Sequence, residues 1–327
     1  MRKIIRILCM ALAVFMLMPV LFGCNEDSTE EETSDTDTTE TQATSEEETF
    51  LDGPESLTVM SYNVLYDMYY DDSQENSRDI TALANFIKEQ NADVFGTQEA
   101  MNEHKTAILK AMPNYACYEG IQLKGGAGMS NMIFWNADKY KAVSKGFQYL
   151  TDTPYVESKI EESNSYRGFS YVVLESLTTK KQFLFVDVHL TYKDSDDNNS
   201  GTTVEKARLK QAQYLIKFLE NKKFQTMPVV LVGDFNSVPG SDALNAVENA
   251  NRMDRALTIA KTKGDVGGTL ATNSHKERSR YIFDHIFVTG DRITTEYFTV
   301  VDKKINDSGA QRYPSDHLPV LAQIIIR

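Results

Sequence analysis

The sequence predicts an α/β (α+β) domain in which two β-sheets are flanked by helices, and three observations lead to this prediction. Residues 57–327 are long enough for one large domain with a single core. Within them, short runs rich in β-branched and aromatic residues alternate with amphipathic segments at helical spacing. No internal repeat indicates a solenoid, so we expect these strands and helices to share one layered core.

Residues 1–24 have the composition of an export signal. Three basic residues lie within positions 1–6, and the apolar run over 7–22 is too short for a comfortable membrane span. The sequence Leu-Phe-Gly-Cys at 21–24 resembles the lipobox of bacterial lipoproteins, which implies that Cys24 is lipidated and becomes the mature N-terminus. The alternative is an uncleaved N-terminal anchor. We therefore expect an exported protein, lipid-anchored to the outer face of the bacterial cell membrane or envelope.

The next segment, 25–56, is rich in Thr, Ser, Glu and Asp and predicts a disordered tether. It contains 13 of the 47 acidic residues, whereas residues 1–56 contain 3 of the 34 basic ones. The remaining 57–327 therefore has 34 acidic and 31 basic residues, a net charge of −3. This near-neutral domain has no large basic face, which argues mildly against high-affinity binding of duplex nucleic acid.

The chain has three cysteines, Cys9, Cys24 and Cys117. Cys117 has no partner in the mature domain, so we predict no intrachain disulfide and interpret it as a small buried apolar residue. No Cys/His spacing indicates structural zinc. We expect a monomer and predict no protein partner.

Nine segments predict strands, because each is rich in β-branched and aromatic residues. They are 57–64, 93–97, 131–135, 169–175, 183–189, 229–233, 281–288, 297–301 and 319–326. Four segments predict helices from their apolar spacing. They are 78–90, 103–112, 205–220 and 242–249, the last with Ser241 as its N-cap.

Polar side chains recur where these strands end. The clearest example is the run of Val and Leu at 229–232, which is followed by Asp234 and Asn236. A second pair, Asp316 and His317, precedes the last strand. Carboxylates, an amide and an imidazole without cysteine suit a hard cation such as Mg²⁺ or Mn²⁺ and a phosphate ester. A lone Asp-x-Asn is usually a turn, so the prediction rests on the whole set.

That set, in its order along the chain, resembles the endonuclease/exonuclease/phosphatase superfamily. The motifs that carry the resemblance are Ser61-Tyr62-Asn63-Val64, Gln98-Glu99, Arg167, His189-Leu190, Gly233-Asp234-Phe235-Asn236, Asp284-His285-Ile286 and Ser315-Asp316-His317. The resemblance covers residues 57–327 and implies a four-layer α/β sandwich of two packed, mostly antiparallel sheets flanked by helices, as in deoxyribonuclease I.

The resemblance also implies which residues bind the metal and the substrate. Glu99 would be the principal ligand of Mg²⁺ or Mn²⁺, with Asn63 orienting the site and Asp316 as a second or outer ligand. Asn236 would bind the scissile phosphate, and Arg167 matches a phosphate-contacting arginine. From the residues alone, Glu99 could instead be a charge at a helix N-terminus, and Arg167 a surface salt bridge.

The catalytic roles follow in the same way. Asp234 would orient or deprotonate the attacking water, and His317 would donate to a phosphate oxygen while Asp284 orients its ring. His189 is similar to the second active-site histidine of the deoxyribonuclease I branch. These residues predict in-line attack by water without a covalent enzyme intermediate.

Further polar and aromatic residues receive weaker predictions. We expect His285 to pack or lie at the rim, His104 to be a solvated helix residue, and His275 to be a weaker candidate for substrate contact. The segment 192–203 is expected to border the site. Three tyrosines after the first motif could stack on substrate or pack as a lid, and they are Tyr66, Tyr69 and Tyr70.

The predicted function is metal-dependent hydrolysis of phosphate esters at the cell surface, with a nuclease-type phosphodiesterase acting on extracellular nucleic acid as the first candidate. The alternative is a phosphatase or phosphodiesterase of lipid head groups, inositol phosphates or sugar phosphates. A non-catalytic binding module is a remote third, because such a module would be expected to have lost Glu99, Asp234 or His317, and all three are present.

Overall fold

The structure is a computed structural model. It describes residues 53–67, 77–120, 129–192, 201–250, 252–272, 275–307 and 309–327. The predicted leader with Cys24, and nearly all of the predicted tether, lie outside these residues. Among the described residues, no helix combines the length and apolar character needed to cross a membrane.

The strands, in chain order, are β1 (Glu55–Asn63), β2 (Val94–Ala100), β3 (Tyr115–Glu119), β4 (Ser130–Asn136), β5 (Tyr140–Tyr149), β6 (Gly168–Ser176), β7 (Gln182–His189), β8 (Val229–Asp234), β9 (Met253–Arg255), β10 (Thr262–Lys263), β11 (Asp284–Thr289), β12 (Ile293–Val300), β13 (Ile305–Asp307), β14 (Ala310–Arg312) and β15 (Val320–Ile326). The helices are α1 (Ile80–Glu89), α2 (Asn102–Ala111), α3 (Gly201–Leu219), α4 (Asp242–Asn249) and α5 (Ala256–Ile259).

Two mixed sheets form the centre of the fold. One has seven strands in the order β10-β12-β15-β1-β2-β4-β3, and the other has six in the order β5-β6-β7-β8-β11-β9. Most neighbours are antiparallel, but β1 with β2, β7 with β8 and β10 with β12 run parallel. This arrangement confirms the predicted α/β sandwich of two mostly antiparallel sheets.

Side chains that alternate along the central strands bury both faces of each sheet. In β8, Val230 and Val232 point into the core between the sheets, whereas Val229 and Leu231 face the core beneath α3 and α4. A third core, under α1 and α2, covers the outer face of the seven-stranded sheet. The layers are therefore helices, sheet, sheet and helices, and burial on both faces explains why the central strands read as continuous apolar runs.

Several boundaries differ from the sequence-based expectations. The strand expected over 281–288 begins at Asp284, and the helix expected from 78 begins at Ile80 because Asp79 caps it through the amides of Thr81 and Ala82. Ser241 occupies the N-cap of α4 as expected, although its side chain makes no capping hydrogen bond.

Cys117 lies half-buried in β3, where it packs against the core under α1 and α2. Burial raises the pKa of its thiol to about 12, so it stays protonated. This agrees with the interpretation of Cys117 as a packing residue.

Candidate active site

A pocket of about 540 Å³ lies where the carboxyl ends of strands from both sheets meet. Seven of the nine residues predicted from the motifs line it, and they are Glu99, Arg167, His189, Asp234, Asn236, Asp316 and His317. The other two, Asn63 and Asp284, are buried directly behind and hydrogen-bond to members of the lining. The structure thus brings together all nine residues, which are spread over more than 250 positions of sequence.

Asn63, the last residue of β1, joins the two sheets at the floor of the pocket. Its Nδ2 donates to Glu99 Oε1 at 3.2 Å and to Asp234 Oδ2 at 3.0 Å. Its Oδ1 accepts the amide of Leu65 at 3.0 Å. One buried carboxamide therefore fixes the positions of two carboxylates that come from different sheets.

Glu99 adopts a left-handed backbone conformation, with φ at 58°. It lies in β2 where the register with β4 shifts between Thr97 and Ala100, which marks a β-bulge. A left-handed non-glycine residue is strained, and bulges redirect side chains next to active sites. The local geometry turns the Glu99 carboxylate into the pocket. The bulge in β2 therefore explains the position of Glu99, without a role as a charge at a helix N-terminus.

The register of the six-stranded sheet aligns three functional residues. His189 pairs with Asp234 across the parallel strands β7 and β8, and Asp284 pairs with Asp234 across β8 and β11. His189 Nε2 lies 3.5 Å from Asp234 Oδ2. Gly233 permits this alignment, because a Cβ there would lie 2.1 Å from the carbonyl oxygen of Val188.

His317 lies between two carboxylates. Its Nδ1 donates to Asp284 Oδ2 at 2.8 Å, and its Nε2 is 3.6 Å from Asp234 Oδ2. Burial alone would lower the pKa of His317, but Asp284 and Asp234 outweigh it and hold this pKa well above its ordinary value. This shift favours the protonated imidazole, which is the form that can act as an acid.

At Asp234 and His189, the two neighbouring acid-base groups, burial makes the largest contribution to the pKa shift. It raises the pKa of Asp234 to about 7, with Asp284 adding to the effect. Burial, together with the positive charges of Arg167 and His317, holds the pKa of His189 well below its ordinary range. The pKa values of His317 and Asp234 are thus raised and that of His189 is lowered, a separation that suits acid-base catalysis.

Arg167 is 5% exposed and lies in the pocket wall, with its guanidinium carbon 6.0 Å from the centre of the Tyr192 ring. Burial lowers its pKa, while the charges of Glu99 and Asp234 act against this. The alternative of a surface salt bridge is therefore wrong. A buried guanidinium facing a pocket suits an anionic ligand.

Asn236 also has a left-handed backbone, with φ at 49°. Its amide donates to Asp234 Oδ1 at 2.8 Å, and its side-chain Nδ2 donates to the carbonyl of Leu190 at 3.0 Å. These two contacts hold the Asp-x-Asn turn against the end of β7. The turn is thus tied to the strand that carries His189, and Asn236 stays in the pocket lining.

Glu99 and Asp316 form the best candidate for a divalent cation site. Burial raises the pKa of Glu99, and the negative charge of Asp316 raises it further. Within the described part of the chain, neither carboxylate forms an ion pair with a lysine or arginine. Two facing carboxylates without a paired cation match the oxygen ligands that Mg²⁺ and Mn²⁺ prefer.

A tighter cluster, formed by Asp234, Asp284 and His317, has ligand atoms within 4.8 Å of one another. We do not assign the cation to it. The Nδ1 of His317 is hydrogen-bonded to Asp284 Oδ2 at 2.8 Å, so these two ligand atoms already satisfy each other.

The weaker predictions have mixed outcomes. His104 is 1% exposed, so its prediction as a solvated residue is wrong; its Nδ1 accepts the amide of Met101 and closes the first turn of α2. His285 is buried and its Nε2 donates to the carbonyl of Ser237, as expected for a packing residue. His275 is also buried and is not among the residues that line the pocket. Tyr69 and Tyr70 lie outside the described residues.

Sequence reasoning missed several polar groups around the site. Arg208 of α3 lines the pocket and donates from Nε to the carbonyl of Thr191 at 2.9 Å. Asp187 lies fully buried between the sheets and accepts Gln98 Nε2 at 2.5 Å, and burial holds its pKa well above the ordinary value. Arg78 binds four backbone carbonyls nearby. None of these three residues lies in a recognisable sequence motif, because each acts through contacts that form only in the folded chain.

The fold and the site together define a hydrolase of phosphate esters. The model of the Endonuclease/Exonuclease/phosphatase family matches residues 60–317, and the chain belongs to this family. Enzymes of this family generally depend on a divalent metal, which agrees with the buried carboxylates and histidines described above. No curated protein matches the chain in sequence.

Solved structures support the same fold at low sequence identity. An endonuclease/exonuclease/phosphatase family protein from Bacteroides thetaiotaomicron is 24% identical, with a TM-score of 0.74 over 84% of this chain and 99% of that one. A mannosyl-6-phosphatase from the same species is also 24% identical, with a TM-score of 0.71 over 82% and 99%. TDP2 from D. rerio, solved with a single-strand DNA product, is 16% identical, with a TM-score of 0.61 over 82% and 98%.

Proposed function

We propose that this protein hydrolyses small phosphate esters, using water, a divalent cation and the nine residues gathered in the pocket. The single observation that carries the proposal is the position of His317, held between Asp234 and Asp284 and opposite the carboxylates of Glu99 and Asp316. An acid, a base and a cation site around one pocket supply the groups that phosphoryl transfer to water needs.

Glu99 and Asp316 are the proposed ligands of Mg²⁺ or Mn²⁺. Asn63 orients Glu99, because its Nδ2 donates to that carboxylate and its Oδ1 is engaged by the amide of Leu65. The cation, when bound, would stabilise negative charge on the phosphate oxygens and lower the pKa of a bound water. The backbone amide of Tyr66 also donates a hydrogen bond to the Glu99 carboxylate, at 3.3 Å from Oε2.

The proton transfers are assigned to Asp234 and His317. Asp234, with a pKa near 7, accepts a proton from the attacking water as Asn236 holds the neighbouring turn in place. His317 donates from Nε2 to a phosphate oxygen, while Asp284 stabilises its positive charge. Neutral His189 provides a second hydrogen bond, and Arg167 offsets phosphate charge. Water is the nucleophile: its oxygen bonds to phosphorus as the ester P–O bond breaks, the alcohol leaves with a proton from solvent, and no covalent enzyme intermediate forms.

The size and charge of the pocket favour a phosphorylated small molecule such as a sugar phosphate or an inositol phosphate. A volume of about 540 Å³ is in the range of small-molecule sites. Residues 57–327 carry a net charge of −3, which gives little of the electrostatic attraction that duplex nucleic acid requires. The structural similarity to a mannosyl-6-phosphatase adds support for this substrate class.

A nuclease-type phosphodiesterase is the second candidate. Tyr66 and Tyr192 are 40% and 46% exposed at the pocket rim, where they could stack on unpaired bases. Single-stranded nucleic acid therefore fits this rim better than a duplex does. The similarity to TDP2, solved with single-strand DNA product, points the same way.

Hydrolysis of a substrate panel separates the two candidates, measured as phosphate release from monoesters, as the alcohol or phosphomonoester product from diesters, and as shortened strands from DNA. The panel contains mannose 6-phosphate, inositol phosphates, p-nitrophenyl phosphate, bis-p-nitrophenyl phosphate, sphingomyelin and single-stranded DNA, each with Mn²⁺ or Mg²⁺ and again with EDTA. The first proposal expects EDTA-sensitive turnover of the monoesters with DNA left intact. Cleavage of DNA with inert monoesters would replace it by the second, and no turnover of any ester would refute both.

We also propose that the enzyme works at the cell surface, because the lipobox-like sequence ends at Cys24 and a polar segment of about thirty residues follows it. In cells fed a radioactive fatty acid, the wild-type protein should be labelled and found in the membrane fraction. The Cys24→Ser variant should be unlabelled. Labelling that persists in this variant would contradict lipidation at Cys24.

A further inference from the structure

Arg78, which precedes α1, binds four backbone carbonyls through one guanidinium group. Its Nη1 donates to the carbonyls of Leu65 at 2.7 Å and Asp67 at 2.5 Å. Its Nη2 donates to the carbonyl of Val64 at 2.8 Å and to that of Pro314. The side chain is 7% exposed and takes no part in the chemistry described above.

Three of these carbonyls belong to the loop that holds the first carboxylate of the cation site. In this loop the amide of Leu65 donates to Asn63 Oδ1, and the amide of Tyr66 donates to Glu99 Oε2. Leu65 has a left-handed backbone with φ at 57°, a strained conformation that persists only when surrounding contacts enforce it. Arg78 supplies such contacts on both sides of Tyr66.

The fourth carbonyl belongs to the segment that carries the second carboxylate. Pro314 is followed by Ser315, whose Oγ donates to the carbonyl of Asn63 at 2.7 Å and lies 3.2 Å from Asp316 Oδ1. Asp316 then leads into His317. One guanidinium group, 236 positions before Pro314 in the sequence, therefore connects the loop 64–67 behind Glu99 to the backbone before Asp316.

Arg78 is itself anchored at the start of α1. The next residue, Asp79, is the N-cap and accepts the amides of Thr81 and Ala82. The amide of Asp79 donates to the carboxylate of Asp307 in β13. Helix α1 and strand β13 thus hold the backbone next to Arg78, so its guanidinium group can bind both loops from a fixed position.

We propose that Arg78 is a positioning residue that sets the spacing of Glu99 and Asp316 and thereby the affinity of the site for a divalent cation. The inference rests on the proposed function, in which these two carboxylates bind the metal. Arginine suits the task because its planar group offers five donors in fixed directions, whereas lysine offers three from one nitrogen. Arg78 touches neither carboxylate and acts through the backbone of the two loops.

The test compares Arg78→Lys and Arg78→Ala with Arg252→Lys and Arg252→Ala. Arg252 is a matched control, since it also binds a carbonyl and a carboxylate, those of Gln225 and Asp291, but lies beside the other ends of β8 and β11. Titration calorimetry gives the Kd for Mn²⁺, and thermal unfolding without metal gives the effect on the fold. Methylguanidinium is then added to Arg78→Ala.

We expect both Arg78 variants to bind Mn²⁺ about 10- to 100-fold more weakly, the usual cost of losing a group that orients a metal ligand. The Arg252 variants should lower the unfolding temperature while keeping the wild-type Kd. Methylguanidinium should restore part of the Mn²⁺ affinity of Arg78→Ala. If Arg78→Ala does not fold, Arg78→Lys decides the question.

Wild-type Mn²⁺ affinity in the folded Arg78 variants would overturn the inference, as would equal weakening in the Arg252 variants. These results leave the proposed function intact as long as the wild-type protein binds Mn²⁺ and Glu99→Gln does not. If the wild-type protein binds no Mn²⁺, the proposed cation site fails first and the role of Arg78 fails with it.

Discussion

The pKa values of His317 and His189 are shifted in opposite directions although both side chains are buried within the same pocket. His317 faces Asp284 and Asp234, whose negative charges raise its pKa. The pKa of His189 is lowered by burial and by the positive charge of Arg167. The difference comes from the neighbouring charges, because burial alone lowers the pKa of any histidine. A single protein environment can thus keep one acid and one neutral hydrogen-bonding group ready at pH 7.

At this residue scale we predict that Asp284→Asn shifts the pH dependence of kcat. His317 must be protonated to act as an acid, so activity falls when the pH rises through its pKa. Removing the charge of Asp284 lowers that pKa, and the alkaline fall in kcat should move to lower pH. A pH-rate profile measures this shift, with Asp291→Asn as the exposed control. An unmoved alkaline limb would contradict the role of Asp284.

The Glu99 carboxylate is held in the pocket at a cost to the stability of the native state. Burial and Asp316 both disfavour its charge, and its backbone is strained. A bound cation would offset the charge repulsion and so stabilise the native state.

We therefore predict that Mn²⁺ raises the unfolding temperature of the wild-type protein but not of Glu99→Gln. Saturation to 100 times Kd corresponds to about 2.7 kcal/mol. Without metal, Glu99→Gln should unfold at the same temperature as the wild type or higher, since repulsion from Asp316 is removed. Differential scanning calorimetry measures both effects, with Glu103→Gln on the exposed face of α2 as the control. A full Mn²⁺-induced shift in Glu99→Gln would exclude this ligand.

At the scale of elements, the parallel pairing of β7 with β8 sets the distance between His189 and Asp234. This pairing needs Gly233, because a Cβ at that position would meet the carbonyl oxygen of Val188 at 2.1 Å. Backbone atoms on the facing strand cannot rotate away as a side chain would. The strands would have to separate to accommodate a methyl group.

We predict that Gly233→Ala lowers the free energy of unfolding by about 1–3 kcal/mol, the usual cost of overpacking. Gly53→Ala is the control, since no atom lies within 4 Å of its added Cβ. Urea denaturation followed by circular dichroism gives both values. Equal stability of the two variants would show that β7 and β8 do not approach as closely as described.

The central strands could be predicted from the sequence because both faces are buried, which produces unbroken apolar runs such as that of β8. The sequence did not predict β3 or β5, which lie at sheet edges. In β5 only three of ten residues are buried, and two of its exposed or half-exposed positions are Lys141 and Lys145. Edge strands carry such residues because one side meets solvent, so their pattern resembles that of a loop.

The site could be predicted where function requires a particular residue type at a strand end, as at Asp234 and His317. Arg78 could not, because it acts on main-chain carbonyls that any residue could provide. His104 was misjudged for a related reason. Its helix position between polar neighbours indicates solvent, yet its ring turns back to cap the helix at Met101.

At the scale of the whole molecule, buried neutral histidines make stability depend on pH. Burial lowers the pKa of His104 to about 3 and that of His285 to about 4, against an ordinary 6.5. Below pH 6.5 the unfolded chain binds protons at these positions while the native protein does not. Each histidine therefore lowers the free energy of unfolding by about 1.4 kcal/mol per pH unit as the pH falls toward 4.

We predict that His285→Gln makes the free energy of unfolding less dependent on pH, because the unfolded variant binds one proton fewer below pH 6.5. Between pH 6.5 and 4.5 its free energy of unfolding should fall less steeply than that of the wild type. Asp187 and Asp234 act in the opposite direction, because their raised pKa values favour the native state as pH falls, but they are present in both proteins and cancel in the comparison. Urea denaturation at four pH values tests this, and parallel curves would contradict it.

The rate of phosphate release from p-nitrophenyl phosphate and mannose 6-phosphate by the wild type and Asp234→Asn tests most directly whether this pocket is a metal-dependent phosphoesterase site. Asp138→Asn, at an exposed turn, serves as the matched control. We predict turnover that EDTA abolishes and Mn²⁺ or Mg²⁺ restores, and a kcat about 100-fold or more lower in Asp234→Asn, since general base catalysis is lost. Turnover that persists in EDTA, or a near-wild-type Asp234→Asn, would contradict a metal-dependent phosphoesterase at this site.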